Sequence, residues 1–320
     1  MMATPPPQSD LPDAPVDTGD VPAAEAIALP DDSAPAGLPD SATVPDDRPL
    51  RRILVALDAS PYSHAALEAA VTLAMRLRSE IQAVFVEDIN LLRLAELPFA
   101  REVRFGQAGA HQVRGEDVQR GLRARAAVLR RHVEEVAEQS KVSSTFRVVR
   151  GAVAGELLAA ALEADLLAMG RLGHSVVRRA RLGSTARAAI ARAVSPVLLV
   201  HPTMENGPML VLYDGSPAGA RALELAAHIA GDEGEFRVLI WGPDEAMAAD
   251  RRQAAEALLQ GSTASAQYQQ LDGGDAQRIL AWVNKQHGSL LILASAAGDW
   301  PDDTLETLLE DANPQLLFIR

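Results

Sequence analysis

The residues best suited to chemistry in this chain are glycines that follow a short apolar run and precede a helical pattern. The motif reads Gly170-x2-Gly173-x9-Gly183-Ser184-Thr185. Glycines let backbone N–H groups close around an anion in conformations that other residues avoid. A helix that begins directly after them adds unpaired N–H donors and the positive end of its dipole. The sequence therefore predicts a phosphate cradle of the kind that binds a nucleotide.

Four arginines lie within the same motif, at Arg171, Arg178, Arg179 and Arg181. Arginine offers fixed N–H donors that suit phosphate oxygens. Arg171 and Arg181 are the two for which we weigh a phosphate contact, and a solvated basic face is the alternative. The sequence leaves both interpretations open.

Strand and helix patterns alternate around this motif. Strands are predicted at Ile53–Leu57, Ile81–Val86, Phe146–Val149, Leu166–Met169 and Val197–Val200. Helices are predicted at Pro61–Leu77, Glu116–Glu138, Gly155–Glu163 and Ser184–Ala193, and residues 88–112 are predicted to be irregular. Ser60 and Pro61 are typical of a helix N-cap and first position. This alternation predicts an α/β fold with a parallel sheet and helices on both faces.

The chain contains an internal repeat. The segment Ile53–Pro61 aligns with Met209–Pro217 at an offset of 156 residues, and Leu290–Ala294 matches the fourth strand. We therefore predict an acidic, Pro- and Ala-rich disordered tail over 1–50, a nucleotide-binding domain over 51–202 and a second copy over 208–320. Residues Thr203–Gly207 are predicted to link the copies.

The second copy lacks most of the glycine motif. Ser295 aligns with Gly170, and Leu308-Leu309 stand where the first copy has Gly183-Ser184. Carboxylates crowd the same region at Asp299, Asp302, Asp303, Glu306, Glu310 and Asp311. Because carboxylates repel phosphate, we predict that the second copy keeps the fold but does not hold a triphosphate.

Composition narrows the class of protein. The 320 residues have a net charge of −13, divided into −10 over 1–47, +8 over 48–202 and −11 over 203–320. There is no cysteine, and the histidines show no metal-ligand spacing. No apolar run has transmembrane length and no secretory signal is visible, so we expect a cytoplasmic protein without a membrane partner. The arginines of 120–131 lack interleaved aromatics, which favours a solvated helix face over a nucleic-acid site.

Taken together, these features resemble the ATP-binding branch of the universal stress protein family. Asp58 follows the first strand, the glycine motif comes later, and Ser195–Val200 supplies the Ser-Pro strand after it. The resemblance covers 51–202 in full and 208–320 in degenerate form. It implies two tandem open five-stranded sheets of Rossmann-like type, each with strand order 3-2-1-4-5. It also implies pairing through the last strand, here Val197–Val200, either between the two copies of one chain or in a homo-oligomer.

The resemblance further implies a role for each matching residue around ATP, with Mg²⁺ as an optional companion ion. Asp58 would contact the adenosine near the adenine and ribose, Ala56 and Val86 would touch the adenine, and Met169 and Gly170 would lie beside the nucleoside. The phosphates would be surrounded by Gly173, Gly183, Ser184 and Thr185. Asp58 taken alone would equally fit a helix-capping role, which is our interpretation of its counterpart Asp214.

The sequence thus predicts a nucleotide-dependent stress-response binding protein whose nucleotide-bound state is recognised by an unidentified regulatory protein partner. No convincing general base and no Walker-type metal site are visible, so we predict slow ATP turnover at most. An ATPase or another nucleotide-using enzyme on the same scaffold is the alternative, since fold does not fix function.

Overall fold

A computed structural model describes nine stretches of the chain. These are residues 50–97, 101–103, 110–112, 114–173, 182–203, 207–232, 234–294, 300–301 and 303–319. Except for Leu50, the predicted tail lies outside them. Residues 174–181 and 295–299, which contain the middle of the glycine motif and its counterpart in the second copy, also lie outside the described residues. Leu50 itself is buried, and its carbonyl accepts a 2.6 Å hydrogen bond from Ser79 Oγ.

The N-terminal half of the described fold, up to residue 203, alternates strands with helices. Its elements are β1 (Arg52–Leu57), α1 (Pro61–Leu77), β2 (Glu80–Asp88), α2 (Ile89–Ala95), β3 (Arg101–Val103), β4 (Ala110–Gln112), α3 (Gly115–Ser140), β5 (Ser144–Gly151), α4 (Val153–Ala161), β6 (Leu166–Gly170), α5 (Ser184–Arg192) and β7 (Val197–Val200). The strands and helices predicted for this half are confirmed, with boundaries shifted by at most two residues.

The C-terminal half, from residue 207 onward, repeats the pattern in shorter form. Its elements are β8 (Met209–Tyr213), α6 (Pro217–Ala230), β9 (Glu235–Gly242), α7 (Glu245–Leu258), β10 (Ser265–Asp272), α8 (Ala276–Lys285), β11 (Leu290–Ala294), α9 (Thr304–Asp311) and β12 (Gln315–Ile319).

Ten of these strands form one continuous sheet, in the order β10-β9-β8-β11-β12-β7-β6-β1-β2-β5. The two predicted five-stranded sheets are thus joined into one. Within each half the strands are parallel and follow the predicted order 3-2-1-4-5. The halves meet at β7 and β12, which pair in antiparallel fashion with Leu317 opposite Leu198. The last strands of the two copies therefore pair within one chain.

The core lies on both faces of this sheet. Along β1, Ile53 and Val55 point to the face covered by α1, α3 and α6, whereas Leu54 and Ala56 point to the face covered by α4, α5, α8 and α9. This alternation follows from the two-residue period of a strand. Because both faces are covered, the central strands are apolar throughout, as is typical of buried parallel sheets.

Helix α1 begins where its sequence predicts. Ser60 is the N-cap, its Oγ accepts the N–H of Ser63 at 3.1 Å, and Pro61 occupies the first turn. Ser216 and Pro217 repeat this arrangement at α6, where Ser216 Oγ accepts the N–H of Gly219 at 3.0 Å. The repeated Ser-Pro pair therefore fixes the start of the first helix in both halves.

The prediction that residues 88–112 are irregular is wrong at α2 and at the short β3–β4 pair. Helix α2 starts because Asp88 accepts the N–H of Asn90 at 2.9 Å as an N-cap. Since only Ala95 of this helix is buried, its sequence carries little of the amphipathic period by which helices are recognised. Among the described residues, no helix is both long and apolar enough to span a bilayer.

Candidate functional site

A cavity of about 310 Å³ lies at the carboxyl ends of β1 and β6. Its lining includes all nine residues proposed from the sequence: Ala56, Asp58, Val86, Met169, Gly170, Gly173, Gly183, Ser184 and Thr185. Strands β1 and β6 are neighbours in the sheet but their crossover connections run to opposite sides. Such a switch point opens a crevice at the strand ends, which is where ligands bind in this class of fold.

One end of the cavity is apolar. Ala56, Val86 and Met169 lie within the last three residues of their strands and have buried side chains. Val153 and Leu157, from the first turn and a half of α4, complete this wall. A flat apolar group can be buried here with little desolvation cost.

Asp58 occupies the turn between β1 and α1. Its Oδ1 accepts the N–H of Ser60 at 2.9 Å, while Oδ2 points toward Gly173, 3.1 Å from where a Cβ on that glycine would be. The intervening Ala59 has a φ of 63°, a left-handed conformation that non-glycine residues rarely adopt. The carboxylate thus has both a local structural partner and an oxygen turned toward the cavity.

The glycines of the motif allow the backbone to pass very close to its neighbours. A Cβ on Gly170 would lie 2.6 Å from Cβ of Tyr62, so a side chain cannot be added there without displacing α1. Gly183 donates its N–H to the carbonyl of Arg171 at 2.9 Å, which closes the described ends of the loop on each other. Glycine is therefore required at Gly170 by close approach rather than by a positive φ.

The N-terminus of α5 faces the same cavity. Gly183 is its N-cap and no side chain in the described part of the chain caps it. The amides of Ser184, Thr185 and Ala186 fall in the first turn, where N–H groups have no partner within the helix. Together with the helix dipole they favour a negatively charged group at this end of the cavity.

Arg171 does not serve the role that the sequence suggested for it. Its side chain is only 7% exposed, and its guanidinium donates to main-chain carbonyls of the C-terminal half, including Leu309 O at 3.0 Å and Ala312 O at 2.8 Å. The guanidinium is thus directed away from the cavity, and the hypothesis that this residue contacts phosphate is wrong. Arg178, Arg179 and Arg181 lie outside the described residues.

Sequence reasoning missed several residues of the lining. They are Leu57, Ser63, Asp88, Val153, Leu157, Leu172 and Ala186. Asp88 could have been selected from the sequence. It is the last residue of β2, the strand next to β1, and its position is similar to that of Asp58, which directly follows β1. Val153 and Leu157 carried no such signal, since a helix start that covers the cavity looks like any other amphipathic helix.

The matching end of the C-terminal half is built differently. A cavity of about 410 Å³ lies there, lined by Leu212, Trp300, Asp303 and Glu306 among others. The indole N–H of Trp300 donates to Asp214 Oδ2 at 2.8 Å, and the ring stacks on Trp241 with centroids 5.3 Å apart. The strand registers place Trp241 at the position of Val86 and Asp214 at that of Asp58.

The C-terminal half therefore uses its counterpart of Asp58 to hold one of its own side chains. Asp214 is buried, and its Oδ1 also accepts the N–H of Ser216 at 2.9 Å. Asp303 and Glu306 stand at the start of α9, where α5 of the N-terminal half has Gly183 and hydroxyl groups. The predicted alignment of Leu308-Leu309 with Gly183-Ser184 is therefore wrong, because both leucines lie inside α9. The prediction that Asp214 caps α6 is wrong: Ser216 is the N-cap, and Asp214 accepts the N–H of that serine and the indole N–H of Trp300.

No group of three or more His, Cys, Asp or Glu side chains within the described stretches is arranged to hold a metal ion. Asp58 and Asp88 are the carboxylates that line the cavity.

The fold and cavity define a doubly wound α/β protein with a ligand crevice at the switch point of its sheet. Residues 49–201 match the model of the Universal stress protein family. The match covers just under half of the chain, and it identifies this segment as a universal stress protein domain.

Individual proteins are similar to parts of this chain. A universal stress protein of Mycobacterium tuberculosis is 30% identical over 128 residues, which are 38% of this chain and 41% of that protein; the chain thus spans less than half the length of this relative. A universal stress protein of Archaeoglobus fulgidus has the same fold, with a TM-score of 0.61 and 18% identity over 83% of this chain and 97% of that one. Another, solved in complex with cAMP, is 21% identical over 48% of this chain and 99% of that one, with a TM-score of 0.35.

Proposed function

We propose that the cavity at the ends of β1 and β6 binds an adenine nucleotide, with ATP as the preferred ligand. The observation that carries this proposal is that three distant segments contribute all nine of the residues selected from the sequence to one cavity. The glycines, Ser184 and Thr185 were selected for their donor groups and the other residues from the family resemblance, and together they supply what a nucleotide needs: an apolar wall, one carboxylate and a set of backbone donors.

The two ends of the cavity suit the two ends of ATP. The adenine would lie against Ala56, Val86 and Met169, and the Oδ2 side of Asp58 would accept hydrogen bonds from the ribose. The triphosphate would extend toward Gly173 and the N-terminus of α5, where backbone amides replace its water of hydration. A neutral nucleoside would use only the first end, so the phosphates would account for the preference for ATP.

We propose a regulatory role in the stress response, in which an unidentified protein partner distinguishes the nucleotide-bound chain from the empty one. Slow ATP hydrolysis is the alternative activity. Mg²⁺, where present, would arrive on the phosphate oxygens, with Asp58 and Asp88 as the nearest carboxylates of the lining. Turnover measured on the nucleotide-loaded protein, with and without Mg²⁺, separates a binding protein from an enzyme.

The direct test compares two glycine substitutions by isothermal titration of ATP into the full chain. In Gly173→Ala the new methyl group would lie 3.1 Å from Asp58 Oδ2. It would therefore crowd both the carboxylate and the space proposed for the phosphates. We expect this change to weaken ATP binding by about tenfold or more, since one lost charge-assisted hydrogen bond is worth roughly 1.5–3 kcal/mol.

Gly121→Ala is the matched control, because a Cβ at that position of α3 meets no atom within 4 Å. It should leave the dissociation constant unchanged. Wild-type chain that shows no heat with ATP, or a Gly173→Ala variant as tight as Gly121→Ala, would contradict the proposed site.

A further inference from the structure

The second half of the chain contacts the anion-binding end of the cavity through Arg171. This residue lies between Gly170 and Gly173, yet its side chain leaves the N-terminal half and enters the C-terminal end of α9. The guanidinium donates to the carbonyls of Leu308 at 3.2 Å, Leu309 at 3.0 Å and Ala312 at 2.8 Å. A buried guanidinium that donates several hydrogen bonds fixes both the position and the direction of its side chain.

Two of the acceptors, Leu309 and the C-cap residue Ala312, carry carbonyls that the helix leaves unsatisfied at its end, whereas Leu308 also accepts the N–H of Ala312 at 3.1 Å. The last carbonyls of α9 have no partner within the helix, and a cation there is favoured by the helix dipole. The last turn of α9 contains no basic residue of its own. Arg171 therefore supplies from the other half the cation that this helix lacks.

The backbone of Arg171 is fixed as firmly as its side chain. Its N–H donates to the carbonyl of Val200 at 2.8 Å, and its carbonyl accepts the N–H of Gly183 at 2.9 Å. The second of these bonds sets the distance between the two described ends of the glycine loop. A shift of Arg171 would consequently move Gly173 and the start of α5 relative to each other.

A second set of polar contacts also joins the N-terminal half to α9. Arg187, on the exposed side of α5, pairs with Glu310 and lies 3.9 Å from Glu306, both on α9. Helix α5 carries the donors at the anion-binding end of the cavity, so α9 is joined to both sides of that end. The acidic residues that make the C-terminal half a poor phosphate site here hold a basic helix of the other half.

We propose that Arg171 is a positioning residue through which α9 sets the geometry of the anion-binding end, so that nucleotide binding and the order of α9 are coupled. This inference rests on the proposed function. It assigns to the C-terminal half, which lacks the glycine motif, a role in nucleotide binding by the N-terminal half. Coupling between two sites is reciprocal. Nucleotide in the cavity therefore stabilises the end of α9, and loss of the connection to α9 weakens nucleotide binding by the same factor.

Hydrogen–deuterium exchange and calorimetry on the full chain test the coupling. In the wild type, ATP should slow exchange over residues 304–312 as well as over 182–192. Arg171→Met keeps the length of the buried stem but removes the fork. It should abolish the protection of 304–312 and raise the dissociation constant for ATP by about tenfold, within the usual range for coupled sites.

Arg192→Met, an exposed position on the same helix as Arg187, is the control and should behave as wild type. Circular dichroism checks that Arg171→Met is folded. If it is not, Arg171→Lys and the surface change Arg187→Met carry the test, each with a smaller loss of protection in the same direction.

Two failures are distinguishable. A wild-type chain that gives no heat with ATP overturns the proposed function and the coupling with it. A wild-type chain that binds ATP and protects 182–192 but not 304–312 overturns the coupling alone. The coupling alone would also be overturned if the dissociation constant for ATP stayed within twofold of wild type in Arg187→Met and in whichever of Arg171→Met and Arg171→Lys is folded.

Discussion

At the scale of single residues, Asp58 and Asp214 show how one turn can serve two purposes. Both follow the first strand of their half, and both accept the N–H of the serine two residues later at 2.9 Å. Only their second oxygens differ in surroundings: that of Asp58 points toward Gly173, whereas that of Asp214 accepts the indole N–H of Trp300. The local sequence fixes the turn, and distant residues decide what the carboxylate does.

The Trp300 contact yields a stability prediction. Trp300→Phe keeps an aromatic ring on Trp241 but leaves one oxygen of the buried Asp214 without its donor. Removing one partner of a buried polar group costs about 1–3 kcal/mol, so we expect the free energy of unfolding to fall by that amount in urea denaturation.

Trp282→Phe is the matched control for this change. Trp282 donates to Gln269 at 2.7 Å in an exposed position, where water can replace the lost donor. The free energy of unfolding of Trp282→Phe should differ from wild type by only a few tenths of a kcal/mol. Equal losses in the two variants would show that the Asp214 contact carries no special weight.

At the scale of elements, the contact between α1 and α3 contains a pair of stacked histidines. The rings of His64 and His132 lie 4.8 Å apart at an interplanar angle of 26°. Burial and the neighbouring His132 lower the pKa of His64, and the nearby Glu68 and Asp58 only partly oppose this. The packed helices therefore favour the neutral ring of His64.

The direction of the resulting pH dependence follows from linkage. Because the pKa of His64 is lower in the folded chain than its ordinary value of 6.5, the unfolded chain binds more protons as the pH falls through that region. We expect the contribution of His64 to stability to be complete above about pH 7 and to decline below about pH 6.5. Urea denaturation at a series of pH values measures this decline.

His64→Gln should flatten that part of the profile. His228→Gln, at an exposed site on α6, serves as the control and should leave the slope intact. A profile that keeps its wild-type slope in His64→Gln would assign the acid sensitivity to other groups.

At the scale of the whole molecule, the two halves share one sheet. The antiparallel pairing of β7 with β12 makes the strands continuous from β10 to β5, and Arg171 and Arg187 add polar contacts between the halves. The last strands of both halves are thus central in the sheet, and each has neighbours on both sides. Pairing between chains through these strands would require them to separate first.

This continuity predicts a single unfolding transition. All three tryptophans lie in the C-terminal half, at 241, 282 and 300, so their fluorescence reports that half alone, while far-UV circular dichroism reports both. We expect the two signals to change at the same urea concentration, as they must for one cooperative unit. A fluorescence transition separated from the dichroism transition would instead indicate two independently folding domains.

The sequence by itself determined much of this protein. Apolar runs, the Ser-Pro helix starts and the repeat at an offset of 156 residues were sufficient for the strands and helices of the N-terminal half and for its repetition in the C-terminal half, because these signals are local and recur; the strand order came from the family resemblance. Glycine spacing selected the residues at the helix start, and the family resemblance added Asp58 and the apolar residues; the fold brings them into one cavity because parallel strands carry their carboxyl ends to the same edge.

Only the tertiary structure decided the role of Arg171, the contact of Trp300 with Asp214 and the lining contributed by Val153 and Leu157. In each case the partner lies far along the chain: Arg171 and Ala312 are 141 residues apart and Trp300 and Asp214 are 86. A residue type states which hydrogen bonds a side chain can make, but not which distant backbone will reach it. Helix α9 reaches Arg171 because the halves are joined at β7 and β12, and no pattern near residue 171 contains that information.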